Sequence, residues 1–375
     1  MNKLHIAIIE NNIIATNTIR EKLCRALMEH GYGVTILTTG SEAGMEQARK
    51  KGFGVIDVKG STQNPLDIFR YMRNLSGALK ATGASVCLTF TIRPAIWGNI
   101  VTRRLHIPTI TNITGIGPLF ERNNMAYRAA RTLYKFVLKG TARIFFQNND
   151  DMGIFVQKGF VKAGRAHRIP GSGIDYRYYS PLPARTPDGR IIFLFISRLV
   201  KDKGIVEYVE AASMLKKELP NAEFRVLGPV WRQNLKDNTV TDDELRKWIN
   251  EKIVVYSGET DDVRPHIAAA DCIVLPSYRE GTSNVLLEAS SMERPCITCD
   301  TTGCREIVED GVTGYLCKVQ DAGSLAAAMK RMAGLQPERR LAMGVQGRQK
   351  VVREFDKQLV IDAYLDAIEK INAEK

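Results

Sequence analysis

Short apolar runs alternate with amphipathic stretches along the first half of the chain. The runs predict β-strands at 4–9, 33–37, 55–58, 86–90, 109–112 and 144–147. Periodic apolar positions between these runs predict helices, among them 16–30 and 42–51. Strands that alternate with helices form a parallel sheet covered by those helices. The first half is therefore expected to be one Rossmann-like α/β domain.

The second half repeats this rhythm. Strands are predicted at 191–197, 222–227, 253–257, 272–275 and 296–298, with a helix from Gly204. Between the halves, three prolines and a glycine in 181–189 suit neither a helix nor a central strand. The predicted organisation is a first domain at 1–180, a linker at 181–189, a second domain at 190–354 and an amphipathic C-terminal helix at 355–375.

The net charge of +12 is confined to the first half. Residues 1–187 hold 26 Lys and Arg against 11 Asp and Glu, whereas residues 188–375 hold 27 against 30. A basic domain joined to a nearly neutral one is expected to meet an anionic partner, which leaves nucleic acid, anionic lipid and phosphate as candidates.

Cysteine usage favours a reducing cytoplasm. The seven cysteines are odd in number and lie mostly in apolar runs, and the first predicted strand begins at Leu4 with no secretory leader before it. Cys296, Cys299 and Cys304 suggest zinc at first sight, but 296–299 alternates like a strand, so no metal site is expected. No apolar run approaches the ~20 residues that cross a bilayer, so membrane contact would be peripheral.

Two carboxylates, Glu280 and Glu288, flank a predicted junction between a loop and a helix. Glu280 follows the predicted strand 272–275, and Glu288 lies about one turn inside the next helix. Ligands bind at the carboxyl ends of strands in open α/β sheets, and a helix N-terminus offers N–H groups to an anion. The pair is suited to hold the hydroxyls of a sugar and a ribose while the backbone between them binds phosphate.

Two cations follow the first strand of the second domain. Arg198 and Lys203 are predicted at the same sheet edge as Glu280, beside the start of a helix. Arg grips phosphate oxygens with two parallel hydrogen bonds and Lys adds a point charge, so together they suit a diphosphate. A solvated basic loop is the alternative interpretation.

Four sequence blocks resemble one family. They are 197–204, 271–277, the Glu280/Glu288 pair separated by seven residues, and 303–316. In this order they are similar to the retaining glycosyltransferases of GT-B fold, which include glycogen and sucrose-phosphate synthases and many bacterial cell-surface transferases. The resemblance implies two Rossmann-like domains facing across a cleft, with the C-terminal helix returning to the first domain.

The resemblance also implies roles for residues. Arg198 and Lys203 would neutralise the leaving diphosphate of a nucleotide sugar, and Glu280 would face the donor sugar. Glu288 would hold the ribose, with Thr260 and Val263 bordering the base. The remaining donor contacts would come from Gly281, Thr282, Ser283 and Asn284. Retention of anomeric configuration and independence from metal or other cofactors are carried over from the family in the same way.

Two stretches of the first domain, 90–98 and 112–120, are similar to bacterial transferases that extend oligosaccharides on undecaprenyl diphosphate. In that subgroup a Gly-x-Gly stretch lines the cleft, so Arg93, Thr114, Gly115 and Gly117 are candidate acceptor residues. Glycine permits a positive φ and a close approach of the ligand. A tight turn without a ligand is the alternative interpretation.

A predicted helix at 123–139 places four cations on one face, namely Arg128, Arg131, Lys135 and Lys139. Small and apolar residues fall on the opposite face, and Tyr127, Tyr134 and Phe136 are expected on the flanks. Basic and aromatic residues that share an exposed side are typical of a helix lying on an anionic membrane. A merely solvated helix face is the alternative interpretation.

These observations predict a glycosyltransferase at the inner face of the cell membrane. It would move a sugar, an N-acetylhexosamine or a hexose, from UDP to a saccharide linked to polyprenyl diphosphate. A soluble acceptor, as in glucan synthesis, is the second hypothesis. A nucleic-acid-binding Rossmann protein is the third, and it is disfavoured because the sequence contains no recognisable nucleic-acid module.

Overall fold

The structure is a computed structural model that describes residues 4–60, 64–116, 125–183, 189–231 and 238–374. The chain divides into two compact units. The first contains Met1–Ser172 together with Gln358–Lys375, and the second contains Gly173–Lys357. The sequence placed the change of domain at 181–189, whereas residues 173–180 pack with the second unit. Residues 184–188 of that predicted linker lie outside the described residues.

The first unit is built on a parallel sheet of seven strands in the order β3-β2-β1-β4-β5-β6-β7. Its strands are β1 (His5–Ile9), β2 (Gly33–Thr38), β3 (Gly54–Asp57), β4 (Val86–Phe90), β5 (Thr109–Ile113), β6 (Arg143–Phe146) and β7 (Ala166–Arg168). Its helices are α1 (Ile13–Asn17), α2 (Glu21–Glu29), α3 (Glu42–Lys50), α4 (Pro65–Thr82), α5 (Asn99–Arg104), α6 (Met125–Leu138) and α7 (Asn149–Gln157). A π-helical turn, Pro94–Gly98, leads into α5.

Two groups of helices cover the two faces of this sheet. The helices α4, α5 and α6 pack through Tyr71, Leu75, Val101 and Tyr134 in two neighbouring apolar clusters, and Trp97 packs against both clusters. The helices α2 and α3 belong to a separate cluster with Leu27. Right-handed crossovers in opposite directions from the central strands place the two groups on opposite faces.

The C-terminal helix packs in the same apolar cluster as α2, α3 and Leu27. It runs from Lys357 to Ala373, and its buried residues Tyr364 and Ile368 pack with the core of the first unit. Asn112 at the end of β5 donates a hydrogen bond of 2.8 Å to the Tyr364 hydroxyl. The predicted return of the last helix to the first domain is therefore confirmed.

The second unit contains a parallel sheet of six strands in the order β10-β9-β8-β11-β12-β13. The strands are β8 (Ile191–Ile196), β9 (Ala222–Leu227), β10 (Val255–Tyr256), β11 (Cys272–Leu275), β12 (Cys296–Cys299) and β13 (Gly314–Cys317). The helices are α8 (Ile205–Leu215), α9 (Asp242–Asn250), α10 (Arg264–Ala269), α11 (Asn284–Ser291), α12 (Ala322–Ala333) and α13 (Pro337–Glu354), and the C-terminal helix is α14.

One predicted helix is divided in the structure. The prediction of a continuous helix at 16–30 is wrong, because α1 ends at Asn17 and α2 begins at Glu21. The Thr18 hydroxyl donates to the Ile14 carbonyl at 2.8 Å. Short polar side chains that bond the nearby backbone compete with helix continuation, which explains the break.

Each sheet reverses its strand order at one place. In the second unit, β8 connects through α8 to β9 on one side, while β11 connects through α11 to β12 on the other. The carboxyl ends of β8 and β11 therefore border a crevice. This position is where open α/β sheets bind ligands.

Candidate active site

Lys203 and Glu280 meet at this switch point. Lys203 closes a single 3-10 turn after β8, and Glu280 lies in the loop between β11 and α11. The Lys203 ammonium forms an ion pair with Oε1 of Glu280, and both side chains are largely buried. The sequence predicted that the two share a sheet edge, and the structure brings them into direct contact. Each side chain thereby holds the other in place.

Close backbone packing brings these two loops together. Gly204 follows Lys203 with a φ of +76°, and a Cβ there would lie 2.1 Å from the carbonyl oxygen of Pro276. Gly303, with a φ of +79°, lies equally close to the Glu280 loop, because its Cβ would lie 2.4 Å from the Glu280 carbonyl oxygen. Only glycine allows both the left-handed backbone and this approach.

Backbone hydrogen bonds fix the Glu280 loop from both sides. The Tyr278 amide donates to the Asp202 carbonyl at 2.9 Å, next to Lys203. The Glu280 amide donates to the Thr302 carbonyl at 3.1 Å, and the Ser283 amide donates to the Gly303 carbonyl at 3.1 Å. The loop is therefore tied to the loop after β8 and to the loop after β12.

The start of α11 follows directly. Ser283 is its N-cap, and its hydroxyl accepts a hydrogen bond from the Leu286 amide at 3.4 Å. Gly281 and Thr282 precede the cap, and Asn284 is the first helical residue. The N-terminus of α11 thus points its partial positive charge into the region of the Lys203–Glu280 pair.

Arg198 reaches the same edge from the end of β8. It is exposed, and its guanidinium carbon lies 4.6 Å from the centre of the Trp231 ring. A guanidinium over an indole face is held by a cation–π interaction while its N–H groups remain directed outward. Trp231 was not predicted as a site residue, because a lone tryptophan after β9 carries no local signal for this contact.

Glu288 lies further along α11 and contacts Tyr179. Burial raises the pKa of Glu288 to about 7, while a hydrogen bond from the Tyr179 hydroxyl and the positive charge of Lys357 act in the opposite direction. The Tyr179 carbonyl accepts a hydrogen bond of 2.7 Å from Ser291, one turn further along the same helix. Tyr179 is a second site residue that the sequence analysis missed, since it comes from the segment 173–180 just before the predicted linker.

The segment that was predicted to border the base follows β10. Thr260 forms a short turn, in which its hydroxyl accepts a hydrogen bond from the Asp262 amide at 3.1 Å. Val263 packs against the core of the second unit. Arg264 donates two hydrogen bonds to the Asp262 carboxylate and lowers its pKa, and its guanidinium lies 3.9 Å from the centre of the Tyr178 ring.

The candidate acceptor residues belong to the first unit. Thr114 and Gly115 directly follow β5, and Gly115 has a φ of +141°. Gly117 lies outside the described residues. Arg93 packs against its own domain, because its guanidinium carbon lies 4.6 Å from the Tyr71 ring centre and it donates to the Gly60 carbonyl at 3.1 Å.

A buried ion pair lies at the switch point of the first sheet. Glu10, the residue after β1, contacts Arg20 at 2.6 Å, and both side chains are almost fully buried. The Arg20 guanidinium also lies over the Phe90 ring at 4.0 Å. Burial raises the pKa of Glu10 to about 7, although the charge of Arg20 opposes the shift. Neither residue of this pair was predicted as a site residue from the sequence.

The helix with the four predicted membrane cations is oriented differently from the prediction. Tyr134, which was expected on a flank, is buried, as are Val137 and Leu138. Arg131 and Lys135 lie at the edge of the exposed face, and Lys135 donates to the Lys158 carbonyl at 3.3 Å. The exposed face instead holds Arg128, Lys139, Met125 and Phe136.

Two features are absent from the part of the chain that the structure describes. It holds no group of three or more His, Cys, Asp or Glu side chains placed to bind a metal ion. None of its helices has both the length and the apolar character needed to cross a bilayer.

These features define a class of protein. Two doubly wound parallel sheets, with the last helix packed on the first unit and a charged site at the switch point of the second, are those of a GT-B glycosyltransferase. The model of the glycosyl transferases group 1 matches residues 190–334, and that of the glycosyl transferase 4-like domain matches residues 16–171. The chain belongs to this family of glycosyltransferases, as the four sequence blocks indicated.

Individual relatives agree with this assignment. The UDP-Gal:alpha-D-GlcNAc-diphosphoundecaprenol alpha-1,3-galactosyltransferase of Escherichia coli is 26% identical over 68% of this chain and 67% of its own length. The N,N'-diacetylbacillosaminyl-diphospho-undecaprenol alpha-1,3-N-acetylgalactosaminyltransferase of Campylobacter jejuni is 24% identical over 80% and 79%. Anabaena HepE, solved with UDP-glucose, has the same fold, with a TM-score of 0.80, 16% identity and coverage of 98% and 100%.

Proposed function

We propose that the protein is a retaining glycosyltransferase that moves a hexose or an N-acetylhexosamine from a UDP-sugar to a saccharide linked to polyprenyl diphosphate. It would serve the assembly of a bacterial surface glycan or glycoprotein glycan. The observation that carries the proposal is the contact of Lys203 with Glu280 at the switch point, beside Arg198 and the start of α11. The activities for which the Escherichia coli and Campylobacter jejuni relatives are named support the donor and the acceptor class.

The cations are assigned to the leaving group. Departure of UDP builds negative charge on the diphosphate, and Arg198 and Lys203 would stabilise that charge from fixed positions. The ion pair with Glu280 and the stacking on Trp231 hold both cations in place before the donor binds. Since these side chains supply the positive charge, we propose a reaction without a metal or other cofactor.

The carboxylates are assigned to the donor hydroxyls. Glu280 would accept hydrogen bonds from the sugar, and Glu288 would accept them from the ribose. The backbone from Gly281 to Asn284 would contact the sugar and the phosphates, and Thr260 and Val263 would border the base. The hydrogen bond from Tyr179 to Glu288 supports this assignment, because it orients the carboxylate.

The acceptor is assigned to the first unit, with Thr114, Gly115, Gly117 and Arg93 as the candidate residues. We further propose a peripheral position on the cytoplasmic face of the membrane. The exposed face of α6 supports this position, since Arg128 and Lys139 flank the exposed side chains of Met125 and Phe136. Such a face suits an anionic lipid surface.

The first test replaces one cation. Lys203→Ala should lower turnover of a UDP-sugar by about 10²–10³-fold, because a fixed charge on the leaving group is lost. Lys201→Ala is the matched control, since Lys201 lies two residues away and approaches Glu244 at 3.8 Å instead of Glu280. Release of UDP is measured with a polyprenyl-diphosphate-linked saccharide as acceptor. Equal rates for the two variants would contradict the assignment.

The second test concerns Glu280 and the acceptor class. Glu280→Gln should reduce turnover to a similar extent while the protein remains folded, and the exposed Glu259→Gln serves as its control. The rates at which the unmodified protein transfers sugar to lipid-linked saccharides and to soluble glucans are then compared. Transfer to soluble glucan alone would favour the second hypothesis, a soluble-acceptor transferase, over the one proposed here.

A further inference from the structure

The exposed face of α4 carries two large apolar side chains. Leu66 and Phe69 are 80% and 69% exposed. They lie three residues apart in the first turns of an 18-residue helix, so they are neighbours on its surface. The opposite face of α4 is buried through Tyr71, Leu75 and Leu79. Leu66 and Phe69 therefore do not take part in packing α4 on its own sheet.

Cations continue the same exposed face. Arg70, Arg73 and Lys80 are exposed, and with Leu66 and Phe69 they fall within an arc of about 100° on the helix. The exposed face of α4 is thus apolar at its N-terminal end, at Leu66 and Phe69, and basic along the rest of the helix. A helix that lies in a membrane interface combines large apolar and basic residues in this way.

The charge around this face is strongly one-sided. The four helices on this side, α4, α5, α6 and α7, contain eight Lys and Arg residues and three acids, Asp67, Asp150 and Asp151. The helices α2, α3 and α14, on the other face of the same sheet, contain six Lys and Arg residues and seven acids. The positive charge of the first domain is therefore concentrated on the side that exposes Leu66 and Phe69.

A second helix on this side repeats the arrangement. On α6, Met125 and Phe136 are 78% and 62% exposed, Arg128 lies on the same face, and the exposed Lys139 directly follows the helix. Both α4 and α6 pack against the turn Pro94–Gly98 and against α5. Arg103 and Arg104 are the exposed last two residues of α5, and the guanidinium carbon of Arg103 lies 5.4 Å from the centre of the Phe136 ring of α6. The two apolar pairs therefore belong to one basic helical layer of the first unit.

We propose that α4 is a membrane-inserting element, in which Leu66 and Phe69 enter the boundary between headgroups and acyl chains of an anionic bilayer. Arg70, Arg73 and Lys80 lie against the lipid phosphates. The inference deepens the proposed function, on which it rests for the location of the lipid-linked acceptor. The partner is a bilayer and not a nucleic acid. A nucleic acid would contact the cations but would leave the side chains of Leu66 and Phe69 exposed to water.

The binding test uses vesicles without any substrate. The unmodified protein should sediment with vesicles of phosphatidylcholine and phosphatidylglycerol, and much less with pure phosphatidylcholine. Leu66→Ser with Phe69→Ser should weaken partitioning to the anionic vesicles at least tenfold. Leu341→Ser with Met214→Ser is the control, because these exposed apolar residues belong to the second unit. Partitioning of the α4 double variant equal to that of the control would overturn the proposal.

A gain of signal tests insertion itself. Phe69→Trp should be quenched by brominated lipids in anionic vesicles, beyond the quenching of the three native tryptophans. Leu341→Trp, in the second unit, should show no added quenching. Absence of added quenching at position 69 would overturn the proposal, as would capture of a protein partner by α4 that competes with vesicles.

Stabilisation by UDP, measured as a thermal shift on the same variants, separates this inference from the proposed function. Loss of vesicle binding with a normal UDP shift supports α4 as a membrane element. If even the unmodified protein shows no UDP shift, the donor proposal fails while the vesicle result still decides the role of α4.

Discussion

Glu10 is a carboxyl group whose charge state depends strongly on burial. Its pKa is raised to about 7 because burial penalises the ionised form more than Arg20 favours it. A raised pKa means that the folded protein holds the proton more tightly than the unfolded chain. The contribution of Glu10 to stability is therefore complete below about pH 4.5 and is lost as the pH rises to about 7.

Replacing this group should remove part of the pH dependence of stability. The free energy of unfolding of the unmodified protein should fall between about pH 5 and pH 7, by on the order of 3 kcal/mol for this carboxyl group. Glu10→Gln should flatten that slope, because glutamine does not titrate. The exposed Glu29→Gln is the control. Denaturant unfolding at each pH provides the measurement, and an unchanged slope in Glu10→Gln would contradict the expectation.

At the scale of single residues, the sequence predicted which charged side chains lie at the site but not their contacts. Arg198, Lys203 and Glu280 were placed at one edge because each follows a predicted strand. Trp231, the partner of Arg198, and Tyr179, the partner of Glu288, come from other segments of the chain, and no spacing in the sequence connects them. Contacts of that kind depend on which strands are neighbours in the sheet.

The loop after β12 shows how one element positions another. Gly303 approaches the Glu280 carbonyl so closely that any side chain must displace the loop. Gly311 has nearly the same backbone, with a φ of +75°, but a Cβ there would meet nothing within 4 Å. A substitution at Gly311 therefore adds only backbone strain, whereas a substitution at Gly303 adds backbone strain and a steric clash.

Substitution of both glycines tests this difference. Gly311→Ala should cost about 1–2 kcal/mol from the left-handed backbone alone. Gly303→Ala should cost more and should also lower transfer from a UDP-sugar, because Glu280 and Lys203 are moved apart. Denaturant unfolding and transfer rates measure the two effects. If the two variants lose equal stability and activity, the close approach of Gly303 to the Glu280 carbonyl does not position the Glu280 loop.

Elements were predicted with uneven success. The strand limits at 86–90, 222–227 and 272–275 are confirmed. The first and last are buried parallel strands with nearly continuous apolar runs, whereas 222–227 contains the charged residues Glu223 and Arg225. The orientation of α6 was predicted less well. Tyr134 carries a polar hydroxyl that favours a surface position, yet it is buried against Phe155 with a ring-centre distance of 5.7 Å. Tertiary packing overrode the pattern at that position.

The whole molecule depends on a helix that is distant in sequence from the sheet it covers. The C-terminal helix completes the core of the first unit through Tyr364 and Ile368. The first unit is therefore not a continuous segment of chain, although each strand of its sheet lies before residue 173. Its stability should respond to changes near residue 368.

A substitution in this helix should destabilise the first unit. Ile368→Ala should lower the free energy of unfolding by about 2–5 kcal/mol, because a fully buried side chain leaves a cavity. Leu359→Ala on the same helix is the control, since Leu359 is exposed. Hydrogen exchange of β1 and β4 amides reports the first unit directly. Equal protection of these amides in the two variants would show that the helix does not support the sheet.

The sequence by itself determined the α/β class, the two domains, the family and the charged residues at the switch point of the second unit. These follow from apolar periodicity and motif spacing, which are properties of neighbouring positions along the chain. Only the tertiary structure decided that Lys203 touches Glu280, that Tyr179 reaches Glu288, and that Leu66 and Phe69 remain exposed beside the cations of α4. Those outcomes depend on strand order and helix orientation, which bring together residues from distant parts of the chain.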